Sequence, residues 1–201
     1  MAQGGRAGLR GRPRAFDEAA FLDEAIALFS ASGFSGVGIS DLTAATGLSV
    51  GSVYKAFRDK EGVFARALER YIGLREAQIE AIFAEARTAR AKIEGLFRLY
   101  AELSHGKDGV LGCMVVSGIT DLGQLGRGAD ALRAQMSSRQ NMLARLIEEG
   151  QRDGSISAQD EPHAIAAVLL ALLQGMRVVG KAGTLATDRT AFVARALRIL
   201  D

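Results

Sequence analysis

Apolar and polar residues recur with helical spacing along most of the chain, and no alternating strand pattern appears. Residues 39–64 contain two short helical patterns that meet at Gly47. One face of the first pattern carries Ile39, Leu42, Ala45 and Thr46. Ser40 or Asp41 can cap the start of this helix. Gly47 stands where the helix must end in a left-handed conformation, which glycine adopts at little cost.

The second pattern begins after Ser49, which can cap a helix. Its inner face carries Val50, Val53 and Phe57 at positions i, i+3 and i+7. The opposite side carries Gly51, Ser52 and Lys55, with Tyr54 at the edge. Such small, hydroxyl and cationic groups let a helix backbone approach a phosphate-lined groove. The two patterns therefore indicate a helix-turn-helix whose second helix enters the major groove of DNA.

The flanking segments make this interpretation more specific. Residues 6–14 form an arm with four arginines and no acid, and a helix predicted at about 17–31 has an apolar stripe. Asp59 can cap a fourth helix beginning at Lys60. The residues of this region follow the order Ala-x-x-Leu-Phe…Gly-Phe, Leu-Thr-x-x-Thr-Gly-Leu-Ser-x-Gly-Ser-Val-Tyr-x-x-Phe-x-x-Lys-Glu-x-Val. This order closely resembles that of the DNA-binding domain of the TetR/AcrR family of bacterial transcriptional regulators. Thr43 stands where that family usually has alanine, and its hydroxyl can bond the carbonyl one turn back.

This resemblance implies binding to double-stranded DNA at a palindromic operator. We expect Ser52 and Lys55 to contact base edges or phosphates, Gly51 to allow close approach, and Tyr54 and Lys60 to bond phosphates. The complete predicted DNA-binding set is Arg12, Arg14, Ser40, Thr43, Ser49, Val50, Gly51, Ser52, Tyr54, Lys55 and Lys60.

The whole chain is predicted to be all-α, with about nine helices. Residues 1–15 form the basic arm, 16–71 the helix-turn-helix head, and 72–201 a larger helical body for effector binding and dimerisation. Further helices are expected at about 60–86, 89–104, 113–122, 128–152, 161–180 and 187–200, with a break at 105–108.

Composition narrows the class of protein. The net charge of the 201 residues is only +2, so the basic signal is local rather than global. One cysteine excludes an intrachain disulfide framework and suits the reducing cytoplasm. No uncharged apolar run approaches the roughly 18 residues of a membrane span, and the first 14 residues lack the apolar core of a secretory signal. The two histidines lack the spacing of a metal site, and no cofactor is expected.

The helix opened by Glu161 and Pro162 is apolar nearly all round, which indicates burial on every side. In a chain of this size, a second copy can supply part of that burial, although an ordinary monomeric core is the alternative. The last helix supplies a matching apolar stripe, and the two helices resemble the pair that forms a four-helix dimer interface in TetR-like regulators. The predicted interface residues are Leu169, Leu172, Met176, Phe192 and Leu197.

An effector cavity is the second function that the resemblance implies for the body. Adaptable methionines and a few hydroxyl or amide groups would suit a small apolar or amphipathic molecule. The candidate lining residues, each of which can also be plain core, are Phe97, Tyr100, Met114, Ser117, Met136, Gln140, Leu173 and Met176.

Cys113 raises an alternative form of regulation. Residues 111–116 resemble the Gly-Cys-apolar stretch of one branch of the family, in which some members sense oxidants or electrophiles. Because Cys113 has no lysine or arginine next to it in sequence, an inert buried thiol is favoured.

The sequence favours a ligand-responsive repressor over an enzyme. Ser52-x-x-Lys55 and the distant Lys181-Ala182-Gly183 resemble motifs of penicillin-recognising enzymes, but those motifs need a β-sheet that this pattern does not predict. The rival of a different class is an all-helical enzyme or adaptor that retains the helix-turn-helix head.

Overall fold

The computed structural model describes residues 17–185 and 188–201 of the chain. These residues are helical, with no β-strand among them, as the sequence predicted. The α-helices are α1 (Glu18–Ser32), α2 (Ile39–Thr46), α3 (Val50–Phe57), α4 (Lys60–Glu85), α5 (Ala89–Leu103), α6 (Gly106–Leu111), α7 (Met114–Thr120), α8 (Arg127–Asp153), α9 (Pro162–Lys181) and α10 (Arg189–Ala196). Two short 3-10 helices, Leu122–Gln124 and Leu197–Leu200, complete the described elements.

The short helix α6 lies where the sequence predicted a break at residues 105–108. The backbone N–H of Gly109 donates to the carbonyl of His105 at 3.0 Å and closes a helical turn there. Gly112 ends this helix with a φ of 95°, a left-handed value that favours glycine. The predicted interruption is therefore a change of helix direction rather than an irregular loop.

The predicted caps of α3 and α4 are present, because the N–H groups of Ser52 and Gly62 donate to the side chains of Ser49 and Asp59. Asp17 caps α1 in the same way, by accepting from the Ala20 N–H. Helix α2 differs from the prediction, because Gly38 is its cap residue and Asp41 accepts from the Gly38 N–H at 2.7 Å. Capping fixes where each helix of the head begins.

Aromatic side chains form the centre of the head. Phe29 and Phe34 each meet Phe64 edge-to-face, with ring centroids 5.1 and 5.5 Å apart. Leu42 of α2 and Val53 of α3 are buried in the same core. Helices α2 and α3 therefore sit on a rigid base formed by α1 and α4.

The core of the head extends into helices that the sequence assigned to the body. Met114 at the start of α7 and Leu132 of α8 are buried in the same cluster as the head residues. Helix α4 continues without interruption across the predicted boundary at Tyr71. Movement of α7 or α8 can therefore be transmitted directly to the head.

A second core holds the body together and changes the interpretation of α9. Helices α5, α8, α9 and α10 surround this core. The side chains of Leu169, Met176 and Leu197 are 0%, 2% and 4% exposed within the single chain. They were predicted to form the dimer interface, but their burial makes them core residues. Leu172 and Phe192 remain partly exposed and border a surface groove.

The exposed side of α9 is also apolar. Val168, Val178 and Val179 are 46%, 55% and 40% exposed. By length and composition alone, this helix could cross a membrane. Its other side lies in the body core against α8, as a core helix of a helical bundle would.

Candidate DNA-binding surface and effector cavity

The corner between α2 and α3 has the geometry of a helix-turn-helix. Gly47 ends α2 with φ 70° and ψ 11°, the left-handed conformation that the sequence predicted. The Thr43 hydroxyl donates to the carbonyl of Ser40 at 2.9 Å, which confirms the expected bond one turn back. The Ser49 and Ser52 hydroxyls lie 2.9 Å apart and reinforce the first turn of α3. These bonds fix the end of α2 and the start of α3 at the turn, and the buried Val53 and Phe57 attach α3 to the head.

Helix α3 has a buried side and an exposed side. Val53 and Phe57 are buried, whereas Gly51, Ser52 and Lys55 are exposed, as their spacing predicted. Tyr54 is 47% exposed. Val50 was predicted on the inner face, but it is 48% exposed because it occupies the first turn, beyond the edge of the core. The exposed side thus offers a hydroxyl, a phenol and an ammonium on a backbone with little side-chain bulk at Gly51.

Lys60 does not point outward as predicted. Its Nζ donates to the carbonyls of Phe34 and Val37, both at 3.0 Å, and lies 4.1 Å from the centroid of the Phe34 ring. These contacts join the start of α4 to the loop after α1. A phosphate would have to replace two carbonyl partners, so we correct the role of Lys60 to a structural one.

The remaining predicted DNA contacts divide into two groups. Ser40 and Ser49 are exposed and Thr43 is partly exposed along the same corner. Arg12 and Arg14, with the rest of the arm, lie outside the described residues.

A small cavity lies where the head meets the body. Its free volume is about 20 Å³, enough for one or two water molecules. Helices α4, α5, α7, α8 and α9 and Cys113, which directly precedes α7, contribute its wall. The lining residues are Tyr71, Ile72, Arg75, Tyr100, Leu103, Cys113, Val115, Gln135, Met136, Arg139, Gln174 and Arg177.

Two of the predicted effector residues, Tyr100 and Met136, line this cavity. Phe97, Leu173 and Met176 instead belong to the body core, and Met114 belongs to the head core. Ser117 is turned away because its hydroxyl donates to the carbonyl of Ser30 at 3.0 Å. Gln140 is partly exposed and is not part of the wall. The predicted set combined apolar residues with a few hydroxyl and amide groups, whereas the cavity wall also contains three arginines.

Two buried arginines of the cavity wall were not among the residues predicted from the sequence. Arg139 and Arg177 are buried, 3% and 4% exposed. Arg139 pairs with Glu76 at 2.6 Å, and Arg177 donates to the carbonyl of Gly112. An arginine within a strongly apolar helix is the signal that could have identified Arg177, because such a side chain rarely enters a core unpaired.

Cys113 and Tyr71 meet at the cavity. The Tyr71 hydroxyl donates to Cys113 Sγ at 3.3 Å, and the thiol is 6% exposed. Burial is the main cause that raises the pKa of Tyr71, and the nearby Cys113 adds to it. Burial likewise raises the pKa of Tyr100, while Arg139 opposes that shift. Both phenols therefore remain protonated donors around neutral pH.

No group of three His, Cys, Asp or Glu side chains in residues 17–185 and 188–201 is arranged to hold a metal ion.

Comparison with known families identifies the chain. Residues 21–67 match "Bacterial regulatory proteins, tetR family", and residues 89–198 match "Tetracyclin repressor-like, C-terminal domain". The second match alone covers more than half of the chain. The chain belongs to the TetR family of bacterial regulatory proteins. The resemblance seen in the head is thus confirmed. The function of the protein is that of a DNA-binding transcriptional regulator.

Known transcriptional regulators are similar to this chain over most of their length. The HTH-type transcriptional repressor ComR of Escherichia coli is 31% identical over 176 residues, which cover 87% of this chain and 84% of ComR. The transcriptional regulator AcuR of Cereibacter sphaeroides is 28% identical, over 78% of this chain and 75% of AcuR. A CifR cysteine mutant complexed with 26 bp double-strand operator DNA is 29% identical, with a TM-score of 0.84 over 95% of this chain and 100% of that one.

Proposed function

We propose that this TetR-family regulator is a homodimeric repressor that binds a palindromic operator and is released by a small-molecule effector. The observation that carries the proposal is the exposed side of α3, where Gly51, Ser52, Tyr54 and Lys55 lie on a helix whose first turn is capped by Ser49. The proposed site of action is the bacterial cytoplasm, where the operator DNA is located.

Lys55 provides the direct test of this surface. Its ammonium is exposed, and no ion pair joins it to any other residue in the described part of the chain. We expect Lys55→Ala to weaken operator binding by about 1–3 kcal/mol, with relaxed sequence preference at one position if Lys55 contacts a base. Fluorescence anisotropy with labelled operator duplexes measures both quantities.

Lys107→Ala is the matched control, since Lys107 is an exposed lysine on α6, far from α3 in sequence. It should leave operator affinity unchanged. Equal affinity of the Lys55→Ala variant and the original protein would rule out α3 as the recognition helix.

A dimer follows from the need to bind two half-sites. One recognition helix makes few base contacts, whereas a two-fold pair places two helices about one helical turn of DNA apart. The exposed side of α9, with Val168, Ala171, Leu172, Gly175 and Val179, is an apolar stripe with small residues at its centre. We propose that this stripe, with Phe192, meets the same stripe of a second copy.

Release by an effector requires a cavity coupled to the head. The cavity wall includes Tyr71 and Arg75 of α4, the helix that directly follows the recognition helix α3, and Cys113 at the start of α7. A ligand that favours a different spacing of these helices would favour a conformation with mispositioned heads. Operator affinity would then fall without any contact between ligand and DNA.

One alternative mode of release is supported by the position of Cys113 in the cavity wall. If the protein is a thiol-sensing regulator, Cys113→Ser should abolish its response to oxidants. Sequencing of duplexes selected by the purified protein tests the operator itself, because a homodimeric repressor should select one palindromic sequence.

A further inference from the structure

The wall of the cavity carries more positive than negative charge. Arg75, Arg139 and Arg177 line it, whereas no Asp or Glu does so in the part of the chain that the structure describes. Glu76 approaches from α4, where its Oε1 accepts from Arg139 Nη2 at 2.6 Å and from Gln135 Nε2 at 3.2 Å. This carboxylate already balances one guanidinium group. Arg75 is partly exposed to solvent, so Arg177 is the buried guanidinium of the wall that no carboxylate balances.

Arg177 is the buried cation without an acid. Its Nη2 donates to the Gly112 carbonyl, and its Nη1 lies 3.5 Å from Ser104 Oγ. Within residues 17–185 and 188–201, no carboxylate comes within 4.0 Å of it. Arginine stays charged in proteins, and burial of a charge without a counter-charge is unfavourable. The planar donors of a guanidinium match the two oxygens of a carboxylate.

Gln174 gives an independent sign of a ligand site. Its Oε1 is buried and has no hydrogen-bond partner among the described residues, and the side chain lines the same cavity. Buried side-chain oxygens are nearly always paired in folded proteins. A hydroxyl or N–H group on a bound molecule would supply the donor. Within one turn of α9, Arg177 therefore offers hydrogen-bond donors to an anion, and Gln174 offers an acceptor to a neutral polar group.

We propose that this cavity binds a small organic carboxylate, held by Arg177, with a hydroxyl or N–H group directed to Gln174. The free volume of about 20 Å³ holds only one or two water molecules, so even a compact carboxylate enters only if side chains of the wall move. The unbranched side chains of Met136 and Arg75 in the wall can change rotamer to admit it. This assignment selects a charged amphipathic effector over an apolar one.

Binding at Arg177 would also explain release, and this step rests on the proposed function. A carboxylate competes with the Gly112 carbonyl for the same guanidinium, and Gly112 lies directly before Cys113 and α7. Helix α7 is joined to the head through Ser117, which donates to the Ser30 carbonyl, and Asp121, which accepts from Ser35. Loss of the Gly112 bond would free the start of α7 and shift these contacts.

The test is calorimetry on the purified full chain without DNA. The probes are acetate, propionate and lactate, each compared with its neutral amide. We expect the carboxylates to bind and the amides not to bind. Lactate should bind more tightly than propionate because its hydroxyl reaches Gln174. Absence of carboxylate binding, or equal binding of the amides, would overturn the proposal, as would equal binding of chloride and phosphate.

Three variants locate the site. Arg177→Gln should weaken carboxylate binding by about tenfold or more, as expected for loss of a charged hydrogen-bonding partner. Gln174→Ala should remove the advantage of lactate over propionate. Arg98→Gln is the control, because Arg98 pairs with Glu94 on the exposed side of α5. If Arg177→Gln does not fold, Arg177→Lys is the substitute, because it keeps the positive charge but loses the two planar donors of the guanidinium group. It should bind the carboxylates more weakly than the original protein does.

Operator affinity is measured separately with and without lactate. Carboxylate binding that leaves operator affinity unchanged would support the site and contradict release by this effector. Unchanged carboxylate affinity in Arg177→Gln and Arg177→Lys would overturn the assignment of Arg177, whatever the protein does with DNA.

Discussion

Helices α3 and α9 each have a buried side and an exposed side, but their sequences encode the division differently. In α3 the inner residues are apolar, and the outer ones include Gly51, Ser52 and Lys55. In α9 both sides are apolar, so Leu169 on the inner side and Val168 on the outer side look alike in the sequence. When one face of a helix is apolar and the other polar, the sequence shows which face is buried. When both faces are apolar, the sequence shows only that each face needs a packing partner.

The largest expected effect is on the outer side of α9. Val168→Glu in both copies would bury two carboxylates in the proposed dimer contact, at a cost of several kcal/mol per ion. We expect the protein to sediment as a folded monomer and to lose most of its operator affinity. Leu74→Glu, at another exposed apolar position on α4, should remain dimeric. A dimeric Val168→Glu protein would show that the contact lies elsewhere.

The inner side of α9 should respond differently. Leu169→Ala removes a fully buried side chain from the body core, so we expect the free energy of unfolding to fall by about 2–5 kcal/mol. Val168→Ala, one residue away, should change unfolding of the isolated protomer by no more than about 0.5 kcal/mol. Chemical denaturation at matched protein concentration measures both. Equal losses would contradict the assignment of inner and outer sides.

In the head, a smaller effect on stability is expected from the residue that caps the start of α3. Ser49→Ala removes the cap that the Ser52 N–H uses, and it should cost about 1 kcal/mol of stability. Ser49→Gly should lower stability by only a few tenths of a kcal/mol, since glycine is tolerated at this position. Thermal unfolding followed by circular dichroism distinguishes the two variants. A full loss in both would indicate that Ser49 acts through packing instead.

The connection between the head and α7 should depend on pH. Burial tends to raise the pKa of Asp121, but hydrogen bonds from the Ser35 N–H and hydroxyl outweigh it, and the pKa is lowered overall. A lowered pKa means that the carboxylate stabilises the fold above its unfolded-state pKa, and that this contribution is lost as pH falls through the folded-state value. We expect Asp121→Asn to cost about 1 kcal/mol at neutral pH.

Urea denaturation of both proteins at several pH values tests this. The difference between them should shrink as the solution becomes acidic, because the original carboxylate then becomes protonated. Asp160→Asn, in the loop before α9, is an exposed control that should show no such change. A constant difference between the Asp121→Asn and original proteins at all pH values would contradict the role of the charge.

The sequence by itself determined the helical class, the helix-turn-helix and the caps of α3 and α4. Each of these depends on residues close together in the chain, such as Ser49 with Ser52, whose spacing can be seen directly. Tertiary structure decided which side of α9 is buried, because two apolar sides give no direction. It also turned Lys60 toward the carbonyls of Phe34 and Val37, which are distant in sequence.

The cavity depended most on tertiary structure. Tyr71, Tyr100, Cys113, Arg139 and Arg177 come from separate segments, so no local spacing connects them. The charge balance around Arg177 exists only after the helices pack and exclude water from the guanidinium. A sequence pattern records which side chains share a helix face, whereas burial and counter-charge depend on what the other helices place opposite that face.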